Sequence, residues 1–322
     1  MNRLAEILCI DFPLIQAGMG GVAGPALAAA VASAGAGGVV GLYRMTPTMI
    51  EAAGRETQRR TSRIFGVNLI PELVGPSRLA EQVDAVLHTA DRRVFFTFYG
   101  MPESQSTKML RAAGHPFIVM VGSAAEISLA EELGAAAVAL QGVEAGGHLL
   151  SANPVAALVR EAIDCGCRVP LLASGGIGSG HDFRRLRELG AIGCICGTLF
   201  VATEESRAHG RYKDAIIRAR ARDTVVTDVY DIGWPARPHR VLRNALTDLA
   251  PAKRQTQFIA TLDVEGTRHP IARYSAMVPT EGTTGHIDEM VMYCGLSVEA
   301  VHDIVPARTC VERFIEECRS GA

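Results

Sequence analysis

The stretch Gln141-Gly142-Val143-Glu144-Ala145-Gly146-Gly147-His148 ends an apolar run and delivers a histidine through a series of small residues. Further along, the apolar run 169–172 ends in Ala173-Ser174-Gly175-Gly176-Ile177-Gly178, and another ends in Cys196-Gly197-Thr198. Glycine lets backbone N–H groups approach an anion with no side chain in the way, and a helix start after such a turn adds a favourable dipole. Three strand ends of this kind in series predict a rim that holds a phosphate group, with one titratable side chain beside it.

Outward from this rim, apolar runs at 13–17, 38–41, 64–69, 94–98, 117–121, 137–141, 169–173 and 194–196 read as strands. Between them, 25–33, 47–59, 77–88, 124–133, 154–162 and 181–189 read as helices, with a weaker pattern at 105–113. Gly35, Gly134 and Gly190 stand where helices should stop. Strands without polar alternation, separated by helices, imply a parallel sheet covered by helices. Eight such units predict an α/β fold of the (β/α)8 TIM-barrel type rather than an open doubly wound sheet. In these barrels the chemistry lies at the carboxyl ends of the strands, and a phosphate commonly sits after strands seven and eight. Gly175, Gly176, Gly197 and Thr198 occupy those positions.

Composition narrows the function. With 322 residues, 48% of them hydrophobic, the chain buries a full core, so it is neither disordered nor fibrous. A formal charge of −2 provides no excess positive charge for nucleic acid or anionic lipid. The first residues do not pattern as a secretory signal, and no apolar run reaches the roughly 18 residues of a membrane span. A cytoplasmic enzyme acting on a small molecule is expected. The eight cysteines read as reduced, buried thiols rather than a disulfide framework. The Cys165/Cys167 and Cys194/Cys196 pairs are spaced too closely for a usual zinc set, so no metal site is expected.

Among the nine histidines, His148 alone follows a strand at the catalytic end amid residues small enough to leave room for a ligand. It is the candidate acid–base group; the others, His239 among them, read as surface or packing residues. Glu144 is read as shaping the loop or pairing with a backbone amide. The stretch Asp228-Val229-Tyr230-Asp231-Ile232-Gly233-Trp234-Pro235, followed by Arg237 and Arg240, admits two readings, an anion-binding loop near the substrate or a packing anchor. The tail 308–319, with Val311, Phe314, Ile315 and Cys318 on one face, is expected to cap the barrel.

Taken together, several segments resemble the flavin-dependent nitronate monooxygenases. They are Pro13-Leu14-Ile15-Gln16-Ala17-Gly18-Met19-Gly20, Phe65-Gly66-Val67-Asn68-Leu69, the Gln141 to His148 stretch, Ala173-Ser174-Gly175-Gly176-Ile177, Gly197-Thr198-Leu199-Phe200, Tyr274-Ser275-Ala276-Met277 and Tyr293-Cys294-Gly295-Leu296-Ser297. The resemblance implies an FMN-binding barrel over 1–202, a smaller and mainly helical extension over 203–295 covering the active site, and a C-terminal helix within 296–322 that returns to the barrel. It places Ala17, Gly18 and Met19 beneath the flavin ring and Asn68 near its polar edge. Gln141, Gly147, Ser174, Gly175, Gly176, Gly197 and Thr198 complete the cofactor site, several of them around the phosphate, with His148 above the reactive face. Gly20, Met120, Tyr293 and Ser297 line the substrate pocket.

The implied activity is oxidation of an alkyl nitronate with O2 to a carbonyl compound and nitrite. Protonated His148 would hold the nitronate, whereas neutral His148 would take a carbon-bound proton from a nitroalkane. Three positions depart from the family pattern. Leu150 replaces a glycine, Met120 a lysine or glutamine, and Leu296 a glutamine, which together imply a more apolar pocket. A flavin-type enoyl-acyl-carrier-protein reductase using NAD(P)H carries the same histidine signature and is the first alternative; a phosphate-ligand-binding barrel without redox chemistry is the second. A homodimer is compatible with this reading.

Overall fold

The computed structural model describes residues 2–90, 94–249, 254–264 and 266–320. Its strands in chain order are β1 (Leu14–Gln16), β2 (Val39–Gly41), β3 (Gly66–Leu69), β4 (Phe95–Tyr99), β5 (Phe117–Val121), β6 (Ala137–Gln141), the two-residue β7 (Gly147–His148), β8 (Leu171–Ser174) and β9 (Gly193–Cys196). The extension adds β10 (Thr224–Thr227), β11 (His239–Leu242), β12 (Phe258–Val264), β13 (Thr267–Ala272) and β14 (Thr283–Gly285). All but β7 of the first nine form an eight-stranded parallel sheet in the order β1-β9-β8-β6-β5-β4-β3-β2. The sheet closes where Ile15 bridges Gly37 just ahead of β2, and the buried Gln16 side chain accepts the Val39 N–H at 3.0 Å across the same seam.

The strands read as unbroken apolar runs because both faces are buried. Ile15, Val39, Phe95, Ile118, Ala137, Ala139, Leu172 and Ile195 share one cluster, the barrel interior, with Leu4, Ala5 and Leu8 of the first helix. Their neighbours, such as Val40, Phe96, Val119, Val138 and Cys194, face the surrounding helices. Each large side chain sealed this way stabilises the fold by about 1.5–3 kcal/mol. Strand β8 begins at Leu171 rather than at 169 because Pro170 has no N–H for the ladder; its carbonyl still accepts from Val138.

The helices fall where the apolar period predicts, including Ser104–Ala112 over the weak pattern at 105–113, and Gly35, Gly134 and Gly190 take positive φ at the stops. The helix expected over 77–88 starts earlier, at Pro71, and is interrupted where Gly75 leaves helical geometry before Pro76. Two expectations are corrected. The tail helix, Ala307–Arg319, does not cap an end of the barrel. It packs sideways against the helices Pro25–Ser33 and Gly180–Glu188, filling a place in the helical ring that the four-residue helix after β9 leaves open. The approach is so close that a Cβ on Gly180 would lie 2.3 Å from the Cys318 nitrogen. The cap is the short N-terminal helix Arg3–Leu8, started by the Asn2 side chain.

Nor is the extension mainly helical. Among the described residues of 203–295 the one α-helix is Gly210–Arg218, and the remaining regular structure is short 3-10 turns and five strands in two small antiparallel sheets, β13-β12-β14 and β10-β11, the latter extended by β7 of the histidine loop. Residues such as Thr224, Val225, Val226, Thr261 and Ile271 pair across these ribbons, where β-branched side chains pack well.

Candidate active site

A cavity of about 1330 Å³, its solvent-facing mouth included, opens at the carboxyl ends of the barrel strands. His148 lies on its wall, and so do Ala17, Gly18, Met19, Gly20 and Asn68 from the first and third strand ends. Met120, Gln141, Gly147, Ser174, Gly175 and Gly176 continue the wall, and Gly197, Thr198, Tyr293 and Ser297 complete it. Every residue assigned from the sequence therefore borders a single space. Among the departures, Met120 stands in an apolar cluster with Ile70, Tyr99, Trp234 and Ala276, while Leu296 points its N–H to the Glu144 carbonyl and is absent from the wall.

The histidine loop is clamped from three directions. Gln141 donates from Nε2 to the His148 carbonyl at 3.1 Å and accepts the Leu150 N–H at 2.8 Å. Its amide thus joins both ends of the loop, and the side chain also borders the cavity. Glu144 accepts the Val155 N–H and caps the following helix, which gives it a loop-shaping role. From the extension, β11 pairs with β7 so that His239 faces His148 and Arg240 faces Gly147. Arg240 also donates to the Val143 carbonyl at 2.9 Å, and Gly146 is pressed so closely against the extension that a Cβ there would lie 2.5 Å from the Gly295 nitrogen.

His148 is nearly sealed, and its Nε2 has no partner among the described residues. Burial, reinforced by the nearby His239 and Arg237, lowers its pKa from 6.5 to about 2. Burial therefore favours the neutral imidazole of the two forms that the sequence reading allowed. His239 is a packing residue: its Nε2 accepts the Tyr230 N–H and its Nδ1 faces the Arg237 carbonyl, a pairing that assigns the proton to Nδ1. Tyr293 lies 5.2 Å from the His148 ring, but its hydroxyl is spent on the Ala276 carbonyl.

The phosphate-side rim presents a row of free backbone donors. The N–H groups of Gly175, Gly176, Ile177, Gly197 and Thr198 have no acceptor among the described residues. The Thr198 hydroxyl accepts from Gly295 N–H at 2.9 Å and so keeps its own proton to donate. Gly175 needs to be glycine twice over, with φ of +111° and a Cβ position 2.9 Å from the Ala145 nitrogen. A Cβ on Gly147 would meet only open space. These donors suit a phosphate monoester. The helix start after Gly176 adds no free donors to them. Ser179 and Asp182 cap one another there, and the Glu317 carboxylate accepts the Gly180 N–H at 2.9 Å, so the helix terminus is already satisfied.

Of the residues over the mouth, the sequence pointed to the loop with Trp234 and Arg237 but not to Glu72, Tyr43 or Tyr99. Trp234 stacks on His148, Tyr99 and Tyr43 stand beside the indole, and Glu72 holds both Trp234 and Arg237. The loop carrying the sole tryptophan was the available signal, but its contacts depend on Glu72, far away in sequence. Arg237 and Arg240 are both engaged by protein oxygens, which speaks against an anion-binding loop.

The fold is that of a barrel enzyme, and the cavity at the carboxyl ends of its strands, with His148 on the wall, is the candidate site. The nitronate monooxygenase family model matches residues 1–77 and 72–317. A nitronate monooxygenase of Pseudomonas aeruginosa is 31% identical over 302 residues, covering 80% of this chain and 86% of the relative. The (3aS,4S,5R,7aS)-5-hydroxy-7a-methyl-1-oxo-octahydro-1H-indene-4-carboxyl-CoA dehydrogenase of Rhodococcus jostii is 32% identical over 252 residues, covering 77% and 67%. Among solved structures, FabK of Thermotoga maritima superposes with a TM-score of 0.82 at 27% identity, covering 99% of this chain and 96% of that one. The chain belongs to the nitronate monooxygenase family. It is an oxidoreductase of a flavin-dependent family.

Proposed function

We propose that the protein is an FMN-dependent nitronate monooxygenase that oxidises alkyl nitronates with O2 to a carbonyl compound and nitrite. The observation that carries this reading is the unpartnered Nε2 of a neutral His148 in the same cavity as the phosphate cradle. The backbone donors of Gly175, Gly176, Gly197 and Thr198 would hold the FMN phosphate, with Ala17 to Met19 and Asn68 along the ring. FMN, when bound, supplies the electron acceptor for the substrate and the route to O2. A neutral imidazole with its proton on Nε2 donates a hydrogen bond to a nitronate oxygen without needing a charge of its own. The same residue is a poor base for a neutral nitroalkane, because proton abstraction needs a pKa near the working pH. A preformed anion therefore suits this site better than a neutral nitroalkane. The apolar wall around Met120 and Ile70 suits its alkyl portion, and the eight free thiols fit a reducing cytoplasm.

The likeness to FabK favours a second reading, reduction of an enoyl thioester by NAD(P)H. Anaerobic spectra of the purified protein separate the two. Rapid bleaching of the flavin by propionate 3-nitronate, with little change on adding NADPH, is expected. Bleaching by NADPH alone would move the assignment to the reductase, and a colourless protein that takes up no FMN would leave a phosphate-ligand-binding barrel. Neutral nitroalkanes should bleach the flavin far more slowly than their nitronates.

A further inference from the structure

Trp234 lies almost flat on the His148 imidazole, with 3.7 Å between ring centres and 17° between planes. It is nearly parallel to Tyr43 at 6.1 Å and meets Tyr99 edge-on at 5.3 Å. Its Nε1–H donates to Glu72 at 2.6 Å, the other Glu72 oxygen pairs with Arg237, and Arg44 donates to the Gly233 carbonyl. Three polar contacts therefore fasten this loop of the extension across the barrel mouth. The Tyr99 hydroxyl, buried on the cavity wall, has no partner among the described residues.

Beyond the indole is a second cleft of about 850 Å³, its open side included. Its walls continue those of the catalytic cavity residue by residue. Ile70 and Tyr99 border the cavity, while Pro71, Glu72, Gly100 and Met101 border the cleft, with Leu150 and Arg237. Trp234 borders the cavity while its partner Glu72, with Arg237, borders the cleft, so the latch stands where the two spaces adjoin.

We propose that Trp234, latched by Glu72, is a partition that sets the length of substrate this enzyme accepts. Latched, it confines the substrate to the space beside His148. Unlatched, it yields the face of His148 to an apolar chain or flat ring, which runs past Tyr99 and Met120 into the outer cleft. The far end of such a substrate carries no negative charge, because Glu103 and Glu126 line the cleft beside Glu72 and its single Arg237 is already paired. The proposal rests on the nitronate reading for its choice of substrates.

The test compares flavin-loaded wild type, Trp234→Ala, Trp234→Phe and Glu72→Gln on a series of alkyl nitronates from ethyl to octyl. Trp234→Ala should shift the octyl-to-ethyl ratio of kcat/KM upward by about tenfold or more. Glu72→Gln should shift it less and mainly through KM, and Trp234→Phe, which keeps a ring over His148 but loses the N–H to Glu72, should fall between wild type and Trp234→Ala. Acetate and octanoate, planar carboxylate analogues of the nitronates, supply a binding arm read from the flavin spectrum without turnover. Trp234→Ala should favour octanoate there too. Because Trp234 is the only tryptophan, emission and acrylamide quenching report the latch directly, and Glu72→Gln should raise the accessibility of the indole to quencher. Chain-length profiles in turnover and binding that match wild type in a flavin-loaded Trp234→Ala protein would overturn the proposal, as would quenching unchanged in Glu72→Gln. If the nitronate reading were wrong, every variant would be silent in turnover while the octanoate preference still moved.

Discussion

His148 shows how a single side chain acquires its chemistry from its surroundings. In water it would titrate near 6.5, but burial first, and then the neighbouring His239 and Arg237, hold it neutral down to about 2. The pH dependence of kcat/KM should therefore show no acid limb near 6.5, in contrast to an enzyme that needs an imidazolium. The same displacement bears on stability. A histidine whose folded pKa is depressed contributes stability that is complete above its unfolded value and is lost progressively as pH falls from about 6.5 toward 2. His148→Ala should retain the flavin and lose about 10²–10⁴-fold in turnover. It should also flatten the acid loss of thermal stability relative to wild type; an unaltered acid slope would show that His148 ionises freely. His148 was legible in the sequence because glycines and alanine flank it. Its protonation preference was not, since the burial that chiefly sets it, and the His239 and Arg237 that reinforce it, come from another part of the chain.

At the scale of elements, the loop between β6 and β7 is organised by one amide. Gln141 reaches both the His148 carbonyl and the Leu150 N–H. Gln141→Leu would leave that carbonyl and N–H without their partner at a cost of about 1–3 kcal/mol. We expect a lower melting temperature and a reduced kcat with flavin content preserved, measured by calorimetry and steady-state kinetics; loss of flavin with kcat per bound flavin intact would assign Gln141 to the cofactor instead. The barrel strands could be read directly because double burial makes each one a short apolar run. The ribbons β10 to β14 were missed because their faces are only partly buried and their pairing partners are distant. The N-terminal helix was missed because six residues carry too little periodicity, and its identity as a cap becomes visible only from Leu4, Ala5 and Leu8 meeting the barrel interior.

For the whole molecule, the extension and the barrel share the site. β11 holds the histidine loop, Gly295 donates to Thr198, and the loop around Trp234 covers the mouth. A ligand that fills the cradle draws on both parts and stabilises them together. Added at about a hundred times its dissociation constant, FMN should stabilise the flavin-free protein by about 2.7 kcal/mol. That would appear as a melting temperature several degrees higher, and riboflavin, which lacks the phosphate, should give much less. Equal stabilisation by the two would place the binding energy in the ring and not in the glycine cradle.

The sequence by itself determined the barrel, the order of its strands, the residues at their carboxyl ends and the family to which they belong. These are local properties, carried by short runs in which burial on two faces and glycine at close approaches leave a direct trace. The tertiary structure decided which of those residues are free to act. It spent Gln141 and Glu144 on the loop, filled the helix start at Gly180 with Glu317, and set Trp234 on His148 through Glu72. Each of these depends on a polar group or ring finding a partner, in several cases one supplied from a hundred or more residues away, and the satisfaction of buried polar groups is settled only when the chain has closed around them.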